Sequence, residues 1–279
     1  MNSTSPASTF SPAIVEASLV RLQQEQKDVS RPLLSVVIPC HNEQGNLPPL
    51  VAGIKDALEL SGINYEIVFT DDCSTDDSWR VLNDLAAREI RIRIQRFERN
   101  AGQSAGIWAG IRAASGSFIA TMDADLQNVP TDLPILLTAL ASDADCVCGS
   151  RVANRKHGDN LIRRFSSWFA NGMRNWLTRE SISDSGCGYR VFRRECVSNL
   201  KFFRGMHRFL PTLIRMEGFK VIEIPITHQP RLSGQSHYGV WGRLFTTTYD
   251  VFAIRWMQKR MFRFSIAERV NFENPAPGS

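Results

Sequence analysis

The sequence predicts an α/β fold in which a mostly parallel, doubly wound sheet is flanked by helices. Three observations carry that prediction. Short apolar runs rich in β-branched residues alternate with longer amphipathic stretches, the strand–helix cadence of a parallel sheet. The runs are continuously apolar, as in strands buried on both faces. Polar clusters sit at the ends of three runs, where open α/β sheets bind ligands.

Taken in order, residues 1–11 are rich in Ser, Thr and Pro and read as disordered. Residues 12–28 read as a short polar helix or as a solvated arm, so 1–31 form a disordered or partly helical N-terminal segment. The catalytic-sized domain begins near Pro32 and extends to 239. Leu33 to Pro39 is the first strand, ending on Cys40-His41-Asn42-Glu43. Asn46, with Pro48 and Pro49 behind it, starts a helix carrying Leu50, Ile54 and Leu58. Tyr65 to Thr70 is the second strand, ending on Asp71-Asp72-Cys73-Ser74-Thr75-Asp76. Ser74 or Thr75 is the candidate cap of the next helix, which turns Trp79, Leu82 and Leu85 inward. A third strand over Ile90 to Phe97 leads through Asn100-Ala101-Gly102 to a helix over 103–114. Phe118 to Met122 is the fourth strand, ending on Asp123-Ala124-Asp125-Leu126-Gln127.

Composition narrows the function. The chain has 279 residues, 43% of them hydrophobic, which is enough for a sizeable core. A formal net charge of +5 suits anionic partners without choosing among them. Six cysteines show no CxxC spacing, and Cys146 and Cys148 share one face of a short strand, so they read as buried free thiols in a reducing cytoplasm. Residues 1–11 lack the apolar core of a signal peptide, and no apolar run of membrane-spanning length occurs. Neither Gly-x-Gly-x-x-Gly nor Gly-Lys-Ser/Thr appears, which argues against dinucleotide and P-loop sites.

The strand-end clusters carry oxygen chemistry. In extended geometry Asp123, Asp125 and Gln127 point the same way and could hold a hard cation, Mg²⁺ or Mn²⁺. A metal-bridged diphosphate is a good leaving group. The same segment also reads as an acidic loop capping the next helix. Asp71 and Asp72 read either as a plain cap or as acceptors for a base and ribose.

Val37 to Glu43, Asp71 to Asp76, Asn100 to Gly102 and Asp123 to Gln127 together resemble family 2 glycosyltransferases. Gly149-Ser150-Arg151, Asp184 to Arg190 and Pro230 to Gly239 look like the dolichyl-phosphate mannose synthase branch, polyprenyl-phosphate glycosyltransferases. The resemblance spans roughly residues 33 to 240 and implies a GT-A fold. It implies that Pro39, His41, Glu43, Phe69, Asp71 and Asp72 line the nucleotide pocket. It implies that Asp123, Ala124 and Asp125 contact the donor, with Asp125 and Gln127 on the metal. Arg151, Arg231 and His237 would reach the diphosphate or sugar, and Arg163 and Ser167 the acceptor phosphate. Arg163 and Ser167 are four apart on a predicted helix and so share its face. The family has Tyr at His41, Gly at Cys73 and Lys at His237; the last replaces a fixed charge by a partly protonated one.

The implied donor is a GDP- or UDP-linked sugar and the implied acceptor a polyprenyl phosphate. An ionised phosphate attacks without a general base, and attack opposite the leaving diphosphate inverts the anomeric centre. Were the acceptor a sugar hydroxyl, Asp184 is the candidate base. Residues 160–179 and 240–265 interleave Arg and Lys with Trp, Phe and Leu, either as interfacial amphipathic helices or as helices packed on the domain or on another subunit. Residues 266–279 read as a disordered tail. The expected protein is cytoplasmic and peripheral on the inner face of the membrane, with a separate membrane protein or a second copy of the chain as further candidate partners. Nucleic acid is not expected, because the strand-end carboxylates repel a polyanion unless a metal fills them. A transferase acting on a saccharide hydroxyl and a non-catalytic nucleotide-sugar-binding module are the competing readings.

Overall fold

The computed structural model describes residues 10–26, 30–151, 183–184, 186–229, 240–262 and 268. Among these, seven strands form one sheet in the order β3-β2-β1-β4-β6-β5-β7. β1 (Leu34–Cys40), β2 (Tyr65–Asp71), β3 (Ile92–Arg96) and β4 (Phe118–Thr121) run parallel, as the cadence predicts. β5 (Cys146–Ser150) and β7 (Val221–Pro225) pair in parallel. β6 (Arg190–Arg193) is inserted antiparallel between β4 and β5. That reversed strand brings the Asp184-to-Arg190 motif alongside the end of β4.

Helices cover both faces. α1 (Pro12–Glu25), α2 (Leu47–Glu59), α3 (Ser78–Arg88) and α5 (Leu133–Ala141) contribute Leu22, Leu50, Ile54, Leu82 and Leu136 to one core, against Val36, Ile67, Phe69 and Ala120. α4 (Gln103–Ala113), α6 (Leu210–Met216) and α7 (Val240–Arg260) contribute Ile107, Ile111, Leu213 and Ile254 to the other, against Val37, Val68, Ile119 and Phe192. Alternate residues of each strand feed opposite cores, which is why the strands read as unbroken apolar runs. Each fully buried Leu or Ile contributes about 1.5–3 kcal/mol. α4 lies close on the sheet because Gly106 and Gly110 face Pro39 and Val37, and a Cβ at either would collide with them.

Several local expectations are refined. Of the two readings for residues 12–28, the helix is observed over Pro12–Glu25, capped by Ser11, with Leu19 and Leu22 buried. It is pinned by Gln23 donating to the Gly62 carbonyl and by the Glu25–Arg193 ion pair at 2.9 Å. β3 is shorter than Ile90 to Phe97, and Ile90 is 95% exposed. α3 starts after Asp77, not at Ser74 or Thr75, because Ser74 is held by Asp71. All six cysteines are free thiols, and the Cys146 and Cys148 sulfurs lie 4.0 Å apart on one buried face.

Candidate active site

The loops leaving β1, β2 and β4 meet at one end of the sheet. Each contains a non-glycine residue in the left-handed region: Asn42 (φ 57), Cys73 (φ 58) and Leu126 (φ 60). Such a residue costs about 1–2 kcal/mol, so packing and hydrogen bonds must hold it. Asn42 accepts from Thr75 N at 2.8 Å, and its own N–H donates to Ser74 Oγ at 3.0 Å. Glu43 N donates to Ser78 Oγ at 2.9 Å. The β1 and β2 loops are thereby laced together.

Two residues expected to bind nucleotide also have partners within the protein. Asp71 is fully buried, accepts from Ser74 and pairs with Arg96 Nε at 3.0 Å. Asp72 accepts from Ala101 N at 2.6 Å and Gly102 N at 2.8 Å, so it sets the start of α4. Phe69 is also fully buried, in the core under α2 and α3, and presents no surface to a pocket. Every residue of β2 is buried. His41 and Glu43 remain half-buried at the loop surface, with His41 Nδ1 2.9 Å from the Asp72 carbonyl and Glu43 accepting from Asn46 Nδ2 at 2.5 Å. Pro39 lies at the end of β1 beneath Gly106.

The Asp123-to-Gln127 segment is a turn, not an extended strand end. Leu126 is left-handed and Gln127 N donates to Asp125 Oδ1 at 3.2 Å. The proximity of the Asp123 and Asp125 carboxylates therefore comes from chain reversal rather than from strand alternation. Asp123 accepts from Gln103 Nε2 at 2.8 Å. Gly188 lies against it, and a Cβ there would stand 2.8 Å from Asp123 Oδ2. Burial, and then the neighbouring Asp125 carboxylate, push the Asp123 carboxyl above its usual range, while Arg190 and Arg151 pull it back.

Arg151 is joined to Asp184 by two parallel bonds, Nε to Oδ2 at 2.7 Å and Nη2 to Oδ1 at 2.8 Å. The chain beyond β7 braces the turn. Gln229 N donates to the Gln127 carbonyl at 3.0 Å, and Asn128 and His228 form an antiparallel bridge. Among the described residues two buried side-chain polar atoms lack a hydrogen-bond partner, Arg190 Nε and His228 Nδ1. Both belong to residues in electrostatic reach of this turn, Arg190 towards Asp123 and His228 towards Asp125.

With this geometry in place, comparison with known proteins decides the family. The model of glycosyl transferase family 2 matches residues 35–200. The chain belongs to that family. It is 34% identical over 230 residues to dodecaprenyl-phosphate galacturonate synthase of Rhizobium johnstonii, covering 81% of this chain and 67% of the relative. It is 36% identical over 219 residues to undecaprenyl-phosphate 4-deoxy-4-formamido-L-arabinose transferase of an Enterobacter species, covering 78% of this chain and 66% of the relative. The chain thus spans about two thirds of the length of these relatives. Among solved structures, the mannosyltransferase PcManGT of Pyrobaculum calidifontis, in complex with GDP-Man and Mn²⁺, matches with a TM-score of 0.57 at 18% identity, over 86% of this chain and 71% of that one. Glucosyl-3-phosphoglycerate synthase of Mycobacterium tuberculosis, bound to Mn²⁺, UDP and glucosyl-3-phosphoglycerate, matches with a TM-score of 0.63 at 16% identity, over 89% and 84%. These likenesses establish the GT-A fold.

The family 2 turn fits a hard divalent cation. Asp125 and Gln127 offer oxygen donors, and the mutual repulsion of Asp123 and Asp125 is what a cation relieves. Among the described residues no three His, Cys, Asp or Glu side chains converge as a metal cage. A site with few protein ligands leaves positions for water and phosphate oxygens, as magnesium sites commonly do. Arg163, Ser167, Arg231 and His237 lie outside the described residues. Sequence reasoning missed the contacts of Gln103, Gly188, Arg190 and His228. Arg190 alone carried a readable signal, a charged residue opening the apolar run Val191-Phe192.

Proposed function

We propose that this family 2 glycosyltransferase moves a sugar from a nucleoside diphosphate sugar to a polyprenyl phosphate, with inversion and with a divalent cation. The observation that carries the choice of acceptor is the Arg151–Asp184 pair. The carboxylate that a hydroxyl acceptor needs as its base is almost fully buried and held by both oxygens. An acceptor that arrives already ionised needs no such base. The names of the relatives agree, since both act on polyprenyl phosphates.

In this mechanism Asp125 and Gln127 hold Mg²⁺ or Mn²⁺, which when bound offsets the charge that develops on the departing diphosphate. Asp123, oriented by Gln103, accepts from a donor hydroxyl. His41, Glu43 and Pro39 border the base and ribose. Arg231 and His237 are assigned to the diphosphate, and Arg163 and Ser167 to the acceptor phosphate. The chain's contribution is positioning and electrostatics rather than proton transfer.

The reading places the protein on the membrane surface. Tyr249, Phe252 and Trp256 are 77%, 58% and 63% exposed on α7, beside the cations Arg255, Lys259 and Arg260. Val251 and Ile254 on the same helix are buried in the core, so α7 both packs on the domain and presents an aromatic, basic outer stripe. None of the described helices is long and apolar enough to cross a membrane. The cytoplasmic leaflet, with its anionic lipids, is the surface that fits the charge.

The test is transfer of label from a panel of UDP- and GDP-sugars to polyprenyl phosphate in vesicles, with and without Mn²⁺. The expected result is a metal-dependent lipid-linked sugar phosphate. Labelling of a saccharide hydroxyl instead, or no dependence on metal, overturns the reading.

A further inference from the structure

Arg190 opens β6, paired with Thr121 on one side and Cys148 on the other. In that register its side chain shares the face of Ile119 and Phe192, the face covered by α4, α6 and α7. It is 2% exposed. Its Nε has no hydrogen-bond partner, and no ion pair reaches it among the described residues. Asp123 is a carboxylate in its electrostatic field, two residues beyond Thr121, and no ion pair between the two is present among the described residues. The other titratable groups it faces are Cys146, Cys148, Cys187 and His207. His207 is bonded to Ser104 Oγ at 2.7 Å, and burial pushes its imidazole down to about 3, so it stays neutral and offers no counter-charge.

A buried guanidinium without an anion is expensive, and buried charges are ordinarily paired. This one stands at the start of β6, in electrostatic reach of Asp123 and of His207, which is bonded to Ser104 in the first turn of α4. We propose that Arg190 forms an oxyanion subsite on the α4 side of Asp123, where its planar donors take a phosphate or carboxylate oxygen of a bound substrate. Guanidinium geometry suits both anions. Within the proposed reaction, on which this inference rests only for the identity of the ligand, three sources exist: the donor diphosphate, which a raised KM for every donor would mark, the acceptor phosphate, and a carboxylate on the transferred sugar.

The experiment compares the full 279-residue chain with its Arg190→Gln, Arg190→Met and Arg190→Lys variants. In thermal unfolding, inorganic phosphate or glucuronate should raise the Tm of the unaltered chain and of the Lys variant, but not of the Gln and Met variants. Without anions, the Met variant should unfold no lower than the unaltered chain, because an uncompensated buried charge has gone. A Met variant that is destabilised yet still responds to anions makes Arg190 a structural residue and overturns the proposal. Kinetics then separate the sources. A rise in KM for polyprenyl phosphate of roughly ten- to a hundredfold in the Gln variant, with donor KM unchanged, assigns the oxyanion to the acceptor. The same loss confined to a uronic acid donor assigns it to the sugar. No change in either KM, with no Tm response, overturns the subsite. If the unaltered chain transfers nothing to polyprenyl phosphate but its anion response depends on Arg190, the proposed acceptor fails and the subsite stands.

Discussion

Arg151 and Asp184 grip each other through a two-point contact, 2.7 and 2.8 Å, that also ties the end of β5 to the chain entering β6. Asp184 further accepts from the Arg151 N–H at 3.1 Å. Removing one member leaves a largely buried guanidinium uncompensated. Asp184→Ala is therefore expected to lose about 2–4 kcal/mol of stability, at the low side for a broken buried pair because Arg151 is partly exposed. Urea unfolding reads the loss. A variant that unfolds like the unaltered chain while losing all transfer makes Asp184 a base instead.

Gln103 donates to Asp123 Oδ1, and Gly188 leaves room for the same carboxylate. Gly188→Ala sets a methyl group against Oδ2 and should displace the carboxylate, lowering kcat by roughly tenfold or more while the fold survives. Gln103→Ala removes the 2.8 Å bond and should lower kcat by a smaller factor. Steady-state kinetics beside circular dichroism check both. Unchanged kcat in the two variants excludes Asp123 from the reaction.

Stability should depend on pH through Asp132. Its carboxylate is buried, accepts from Thr227 N at 2.7 Å, and burial raises it to about 6. A group raised in the folded state binds protons there that it has released in the unfolded chain. Its contribution is therefore greatest below the ordinary carboxylate range and falls as pH rises towards 6. Asp132→Asn should remove that fall, so the variant gains relative to the unaltered chain, by about 2 kcal/mol between pH 4 and 7. Parallel unfolding curves at the two pH values, with no relative gain, contradict it.

Replacing Tyr249, Phe252 and Trp256 together by Ser should leave thermal stability within about 0.5 kcal/mol, since exposed side chains away from core contacts matter little to folding. Co-sedimentation with anionic vesicles should fall by roughly tenfold or more. Added salt should weaken binding of the unaltered chain by screening Arg255, Lys259 and Arg260. Equal sedimentation of both proteins removes α7 from the interface.

The sequence revealed β1 to β4 as strands of a mostly parallel sheet because strands buried on both faces leave an unmistakable pattern, but their order is seen only in the structure. It also marked the strand ends as the site. It did not reveal the reversal of β6, since a four-residue strand carries no direction in its composition. Nor did it separate ligand-facing carboxylates from structural ones. Asp71 and Asp72 look alike in the chain, and only the structure shows their different partners, Ser74 and Arg96 for Asp71 and Ala101 for Asp72. The turn at Leu126 was hidden for a related reason: a left-handed leucine is imposed by its surroundings, not by its propensity. Cys73 at φ 58 explains in the same terms why glycine is the residue expected there by resemblance.

The brace between Gln127 and Gln229 joins the turn after β4 to the chain beyond β7. Arg231 follows the brace by two residues. A donor that tightens the turn therefore acts on the chain at Gln229 through backbone rather than through solvent. The expected kinetics are a compulsory sequence, nucleotide sugar first and lipid phosphate second, with the nucleoside diphosphate the last to leave.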